Sequence, residues 1–500
     1  MTGSVQTFMT DVLVVGGGAS GLAAAIEAGR RGSKVILLEQ ADELGGMMNW
    51  CVGTVSAVNT PGQKQLGITD TTQAHFEDLA THAGSLAPRD NLMLRRLLTD
   101  NTASMMDWLL DLGIVFAPPM IDPPQRVARM HNVVPSSLSF AFHMARACKA
   151  AGVDIRLDTS CQNLIEANGR VIGAMAKRDS VTERYVASRG VILATGDYSG
   201  ASDLKAAFGK ADVADVEPVA ATSTGDGYRF GMALGGTVAN GDIIRGPIMR
   251  FVPPREANFI QKIPPFRLVG KAIAFAMRVV PQFLLRPFLM KFLTTVLGPS
   301  PELFKIGAVL INQEGRRFTD ELRGPAAAVA KQPGKNAYIV FDQALATKFS
   351  GWPHFVSTAP GIAYAYIDDY RRCRNDIFHN AETIEGLAQQ LSMPPAKLAT
   401  TLRQYNGSER GERPAIAQGP FYALGPVRSY VVFTEGGLRV TERLEVLRAD
   451  GTIIDGLYAV GSTGQGGVLL EGHGHHLGWA FISGRIAGAA CASGHMFSGR

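Results

Sequence analysis

The stretch that most constrains this chain is a short apolar run, Asp11-Val-Leu-Val-Val15, followed without a break by Gly16-Gly-Gly18-Ala-Ser-Gly21. Consecutive apolar residues suit a strand buried on both faces. An alanine-rich stretch, Leu22 to Arg31, predicts a helix stopped by Gly32, and a second strand, Val35-Ile-Leu-Leu38, ends at Glu39. Each part has a physical task. Gly16 makes a tight turn, Gly18 lets backbone N–H groups reach a pyrophosphate, and Gly21 lets helix and strand pack closely. The start of the helix, with Ala19 and Ser20, favours negative charge, and Glu39 is spaced to accept hydrogen bonds from a ribose. The glycines alone are a weak signal. Flanked by a strand, a helix and the acid, they predict dinucleotide binding.

Later glycines narrow the choice of dinucleotide. Gly45-Gly46, six residues past Glu39, is a second close backbone approach that suits FAD better than a nicotinamide cofactor. Gly190-Val-Ile-Leu-Ala-Thr-Gly196 and Gly456-Leu-Tyr-Ala-Val-Gly461 read as further buried strands ending in small residues, the second followed by a predicted helix, Leu477 to Cys491. Three strand ends meeting at one crevice is where an open parallel sheet binds its ligand. The expected fold class is therefore α/β. No separate nicotinamide fingerprint follows, which leaves the external electron donor or acceptor open among quinone, oxygen, a dye-like acceptor and a protein carrier.

Five hundred residues, 46% of them hydrophobic and 19% charged, with mean hydropathy +0.07, describe a globular chain of more than one domain and exclude a disordered one. No long uncharged apolar window predicts a membrane span, and Met1 to Thr10 lack the pattern of a secretory signal. Five cysteines without a CxxC pair fit a reducing compartment, so the expected location is the cytoplasm. The net charge of +5 is unevenly spread. Between Arg245 and Lys291 nine cations face Glu256 alone, interleaved with prolines and with bulky residues such as Phe283-Leu284-Leu285. Two readings stand: a lid over an apolar pocket with snorkelling basic side chains, or, across 245–298, a peripheral contact with an anionic inner-membrane surface. No aromatic stacking pattern accompanies the charge, so nucleic acid is not an expected partner.

The order of Gly16-to-Gly21, Glu39, Gly45-Gly46, Ala194-Thr-Gly196, Thr224-Gly-Asp-Gly227 and Gly456-to-Gly461 resembles the fumarate reductase and succinate dehydrogenase flavoprotein superfamily, which also contains the 3-ketosteroid dehydrogenases. Asn312-Gln-Glu-Gly-Arg-Arg-Phe-Thr-Asp-Glu321 is similar to its cap-domain motif, Thr383-Ile-Glu-Gly-Leu-Ala and Tyr405-Asn406 to its cap helices, and Pro420-Phe-Tyr-Ala-Leu to its return from the cap. The resemblance implies a Rossmann-like FAD domain in two parts, 1–245 and 434–500, and an α+β capping domain over 246–433. Cofactor contacts implied beyond the opening motif are Cys51, Gly53, Thr54, Ala194, Thr195, Gly196, Asp226, Gly461, Ser462 and Gly478. The family's covalent-flavin histidine has no counterpart in Met47 to Cys51, so noncovalent FAD is expected.

The dicarboxylate ligands of that family are altered. Where its reductases carry a histidine-threonine pair before two glycines, this chain reads Phe433-Thr434-Glu435-Gly436-Gly437. The place of an arginine is taken by His476, beside Glu471, and a cap-edge histidine is replaced within Arg245-Gly246-Pro247. A small dianion thus lacks its bidentate partner. The candidate proton carriers are Arg323 after the cap motif, relayed through Glu302 and Lys305, or the run His473-Gly-His475-His476 at a helix start that disfavours imidazolium. No complete ligand set for a metal accompanies these histidines. Backbone N–H groups of Gly436 or Gly472, the tyrosines Tyr338, Tyr364, Tyr366 and Tyr422, and His131 are further candidates. The expected function is an FAD-dependent CH–CH oxidoreductase that desaturates or reduces a C=C bond beside a carbonyl of a hydrophobic, ketosteroid or terpenoid-like substrate. Alternatives are a fumarate reductase-like dicarboxylate or keto-acid enzyme and a flavin-carrying interaction protein at a membrane surface.

Overall fold

A computed structural model describes residues 5–254, 262–359 and 363–494; Arg255 and Glu256 of the basic stretch lie outside the described residues. Five parallel strands form the heart of the first sheet: Gln6–Val15, Val35–Leu38, Asp154–Arg156, Val181–Leu193 and Ile453–Ala459. Numbered one to five along the chain, they lie in the order 5-4-1-2-3. Connections therefore leave strand one in opposite directions, and the crevice at the ends of strands one and four is the switch point of the sheet. Thr159–Ala167 and Arg170–Arg178 add an antiparallel flap to strand four, and Glu445–Leu447 adds an edge to strand five.

The apolar runs do what their composition requires. Val12, Leu13 and Val14 are fully buried, as are Leu22 to Ile26 of the helix Ala19–Arg30. Each such Val, Leu or Ile contributes roughly 1.5–3 kcal/mol. Small side chains let this helix touch the last one, His475–Ala492: a Cβ at Gly484 would stand 2.3 Å from the Ser20 carbonyl oxygen, and one at Gly488 2.3 Å from that of Ala24. The two ends of the chain are thereby locked together.

A second sheet organises the cap. Phe421–Val431 is its spine, pairing with Asn336–Asp342, Ile248–Phe251 and Phe378–Ala381 antiparallel and with Glu217–Pro218 parallel, while Val309–Ile311 extends it. Its core, built on Phe304, Phe341, Phe349 and Tyr370, is separate from that under the first sheet. The segments that run between the lobes lie side by side: Ile244 pairs with Thr434 and Arg245 with Phe433. This short ladder brings residues distant in sequence to one spot. Among the described residues no helix is long and apolar enough to cross a membrane.

Candidate functional site

The strand ends form a continuous row. Gly16 N donates to Leu38 O (2.8 Å), Ala194 N to Val15 O (2.8 Å), Glu39 N to Arg156 O (2.9 Å) and Val460 N to Leu193 O (2.9 Å). Turn residues that follow each strand are thus held at one edge. Glu39, buried, accepts from Gly17 N at 2.6 Å and from Ala41 N at 2.9 Å, so its carboxylate fixes the glycine turn. Gly45 N donates to Gly17 O at 3.0 Å, which brings the second glycine pair beside the first.

The glycines sort by what a side chain would meet. A Cβ at Gly16 (φ +109°) would lie 2.3 Å from Ala194 O, and one at Gly21 1.9 Å from Gly16 O, so both are demanded by packing. At Gly18, Gly46 and Gly196 the added atom would meet nothing nearer than 3.8 Å. Gly18 caps the first helix with Gly46 beside it, so these two bare backbone positions face open space where N–H groups converge, while Gly196 follows the end of strand four. A slot of backbone donors with no side chain in it fits a pyrophosphate, and the residues present fit FAD.

Other expected cofactor contacts have protein partners. Thr195 Oγ1 accepts from Gly227 N and lies 3.1 Å from Thr463 Oγ1. Thr54 donates to Asn132 at 2.7 Å, while Asp226 accepts from Thr224 at 2.7 Å and pairs with Arg229. The Cys51 thiol donates to Met48 O, and burial pushes it up to about 11, which makes it inert rather than nucleophilic. Gly53 is a packing glycine, its Cβ position 2.3 Å from Val133. Gly461 is clamped between Ser483 and Trp479, the Ser462 carbonyl accepts from Tyr228 at 2.7 Å, and Gly478 sits buried in the last helix.

Across the inter-lobe ladder stands a cluster of charge. Glu435 is fully buried; it accepts from Gln465 Nε2 at 2.5 Å and has Arg245 Nε at 3.4 Å and His476 Nε2 at 3.6 Å. Burial alone would raise its carboxyl, but the charges of His476 and Arg245 overcome this and hold it below its ordinary value. Arg245 also pairs with Glu471, so two carboxylates hold one guanidinium. The His476 ring packs on Phe433 with centroids 4.2 Å apart.

The three histidines of the run point to different places. His473 is mostly exposed and bonds Asp122 at 3.0 Å, and this hydrogen bond raises it above the ordinary histidine value, opposite to the lowering expected of a helix start. His475 is buried, its Nδ1 2.5 Å from Glu471 O and its Nε2 3.1 Å from Nε2 of His75. Burial first, then His75 and His82, hold it well below the ordinary value, and burial with the Arg129 charge lowers His75 to about 3. Only His476 joins the Glu435 cluster.

The remaining candidates are not drawn together. Arg323 projects from a surface turn, 87% exposed, and pairs with Asp320. Glu302 bonds His354 at 2.9 Å rather than relaying to Lys305, which is exposed. Tyr338 and Tyr422 bond Gln313 and Gln343, Tyr364 packs on Trp352, and Tyr366 caps the helix Ile367–Cys373. His131 is buried between Thr60 and the Arg129 carbonyl, and burial lowers it to about 4. Residues that spacing did not single out are His75, Asp122, His354 and Gln465; each is supplied from elsewhere in the chain, and no local pattern marks it.

A glycine-lined switch-point crevice in one lobe, joined through a short ladder to a second lobe built on its own sheet, is the arrangement of an FAD-dependent oxidoreductase of the two-domain flavoprotein class. The chain belongs to the family described as FAD binding domain (FAD_binding_2), which matches residues 11–249 and 283–470. It is 28% identical over 505 residues to the "Probable fumarate reductase Ifc3" of Shewanella frigidimarina, spanning 96% of this chain and 74% of that protein. Among solved structures it is similar to the open conformation of a flavocytochrome c3 fumarate reductase, with TM-score 0.71, 25% identity and coverage of 98% and 79%. The fold is also that of a 3-ketosteroid-delta4-(5alpha)-dehydrogenase from Rhodococcus jostii RHA1, with TM-score 0.61, 22% identity and 98% of both chains covered. Members of this superfamily act on CH–CH and C=C bonds.

Proposed function

We propose that the protein desaturates or reduces a C=C bond beside a carbonyl on an apolar substrate of ketosteroid or terpenoid-like kind. The observation that carries this reading is the engagement of Arg245 by both Glu435 and Glu471. Two carboxylates outnumber the one guanidinium between them, so this arginine is poorly placed to bind a dianion and the added acids repel one. Phe433 in place of a polar ligand offers an apolar wall.

FAD, held noncovalently since Met47 to Cys51 contain no histidine, supplies hydride exchange at its N5 when bound. The chain's own part is to orient and to move a proton. His476, its ring tilted at 50° against Phe433 and its Nε2 3.6 Å from the Glu435 carboxylate, is the group placed to pass a proton to or from the substrate. Closure of the cap excludes water. A second reading, with Arg245, Arg323 and the histidines regrouped around a dicarboxylate, is favoured by the relative whose name is fumarate reductase.

One experiment separates the two. The yellow holoprotein, reduced anaerobically, is mixed with apolar enones or with fumarate, and oxidised holoprotein with apolar ketones or succinate. Spectral change with the apolar compounds alone supports the first reading; change with fumarate or succinate alone overturns it. The double substitution Glu435→Gln with Glu471→Gln releases Arg245 and is expected to strengthen fumarate binding roughly 10- to 100-fold, the worth of one charge-assisted hydrogen bond. Unchanged binding with the flavin retained would remove the Arg245 argument.

A further inference from the structure

Residues 250–282 fall between the two stretches that the family matches, and the described part of that gap carries the helix Arg267–Val279. Its packing side is made small. Gly270 and Ala274 are buried, and Ala274, Ile273 and Met277 pack with Val115, Ala117 and Val134. A Cβ at Gly270 would stand 3.1 Å from Val134 O, so the helix lies directly on the strands below. On the opposite side Leu268, Phe275 and Val279, at seven- and four-residue spacing, are 80%, 66% and 58% exposed. Between these two faces run Arg267, Lys271 and Arg278, all exposed. Helical periodicity thus sorts the residues into three stripes: buried, apolar and exposed, and basic.

The neighbourhood extends the pattern. Phe266 before the helix, and Leu284 and Phe288 on the helix Gln282–Val296 after it, are exposed as well. From Lys262 to Pro301 there is no acidic residue. Beside the first turn lies a cavity of about 390 Å³, into which Arg267, Arg146 and His143 face together with Asp111. His143 Nε2 lies 3.0 Å from the Pro265 carbonyl oxygen, which fixes the chain leading into the helix. An apolar stripe in water beside the exposed row Arg267, Lys271 and Arg278 is complementary to a surface that is greasy inside and anionic outside. A second copy of this face would meet like charge.

We propose that the helix Arg267–Val279 is a membrane-surface element that rests on an anionic phospholipid leaflet. Leu268, Phe275 and Val279 enter the acyl boundary, Arg267, Lys271 and Arg278 meet phosphates, and the cavity between Arg146 and Arg267 takes one headgroup phosphate. The helix lies in the interface and does not cross it.

The test is sedimentation of the holoprotein with vesicles of phosphatidylcholine alone or mixed with phosphatidylglycerol. Binding is expected on the mixed vesicles only, and it weakens as salt is added. Replacing Arg267, Lys271 and Arg278 by alanine lowers partitioning on the order of 100-fold, at about 1 kcal/mol per cation. Leu268→Gln with Phe275→Gln abolishes binding while flavin absorbance and unfolding midpoint stay at the parent values, since both side chains face solvent. Binding to neither vesicle, equal binding to both, or variants that sediment like the parent would overturn the proposal. So would a dimer in solution that the Leu268→Gln and Phe275→Gln variant dissolves, which would give the face to a second copy of the chain.

Discussion

Gly18→Ala separates the fold of the glycine turn from its cofactor. Gly18 is the N-cap of the first helix, with φ −78° and ψ −172°, a conformation that alanine adopts without strain. Its Cβ would meet nothing nearer than Gly45 O at 3.9 Å. The apoprotein is therefore expected to keep its stability, or to gain about 0.4–1 kcal/mol from the stiffer unfolded chain. The methyl group, however, occupies the space through which backbone N–H groups reach a pyrophosphate. Loss of one or two charge-assisted hydrogen bonds is worth roughly 2–4 kcal/mol, which corresponds to a rise in the FAD dissociation constant of about 30- to 1,000-fold. Flavin is removed, the apoprotein is titrated with FAD by fluorescence quenching, and its urea unfolding is compared with that of the parent. An unchanged dissociation constant would mean that the pyrophosphate lies elsewhere, and an apoprotein weakened by several kcal/mol would mean that Gly18 serves packing, as Gly16 and Gly21 do.

Two further outcomes follow from the geometry. His75, at about 3, and His475, lower than ordinary too, are neutral when folded but titrate normally when unfolded, so the unfolded chain binds more protons below pH about 6.5. Stability is complete above that pH and falls on acidification toward 3, by up to about 1.4 kcal/mol per pH unit for each histidine; urea midpoints that stay flat between pH about 6.5 and 5 would refute the buried pair. Gly488→Ala puts a Cβ 2.3 Å from the Ala24 carbonyl oxygen, a backbone clash that the last helix relieves only by shifting. It is expected to destabilise by roughly 1–3 kcal/mol in urea unfolding, and a loss under about 0.5 kcal/mol would show that the helix contact is loose.

What was legible in the chain was legible because it is local. Apolar strands with glycine turns announce the first βαβ unit, and the strand Val35–Leu38 falls where its residues place it. The helix after the glycines starts earlier than its alanines suggest, at Ala19, because Gly18 in extended conformation acts as its cap and the last glycine of the turn, Gly21, is already helical. The site's charge cluster was half visible. Glu435 stands out before a glycine pair, and Arg245 begins the basic stretch, but nothing local says that they meet. Their meeting depends on the pairing of Ile244–Arg245 with Phe433–Thr434, two crossings between lobes that no periodicity connects. Glu302 and Lys305 illustrate the converse: helical spacing suggests a relay, and His354, from far along the chain, takes the carboxylate instead.

The histidine run makes the same point most sharply. Three imidazoles within four positions look like one site in sequence, yet consecutive helical residues diverge by about 100° at 3.6 residues per turn. His475 and His476 open the last helix and so must face different surroundings, one the buried ring of His75, the other Phe433 and Glu435. His473 precedes the helix, beyond Gly474, whose left-handed backbone (φ +90°) turns the chain before the helix begins, and it answers to Asp122. His473 and His475 then take their shifts from their own surroundings rather than from the helix start. The hydrogen bond to Asp122 raises His473, burial lowers His475, and the one that reaches the inter-lobe cluster is selected by helix phase. Proximity in sequence therefore located the charge cluster to within one turn of helix, and the phase of that turn decided which histidine joins it.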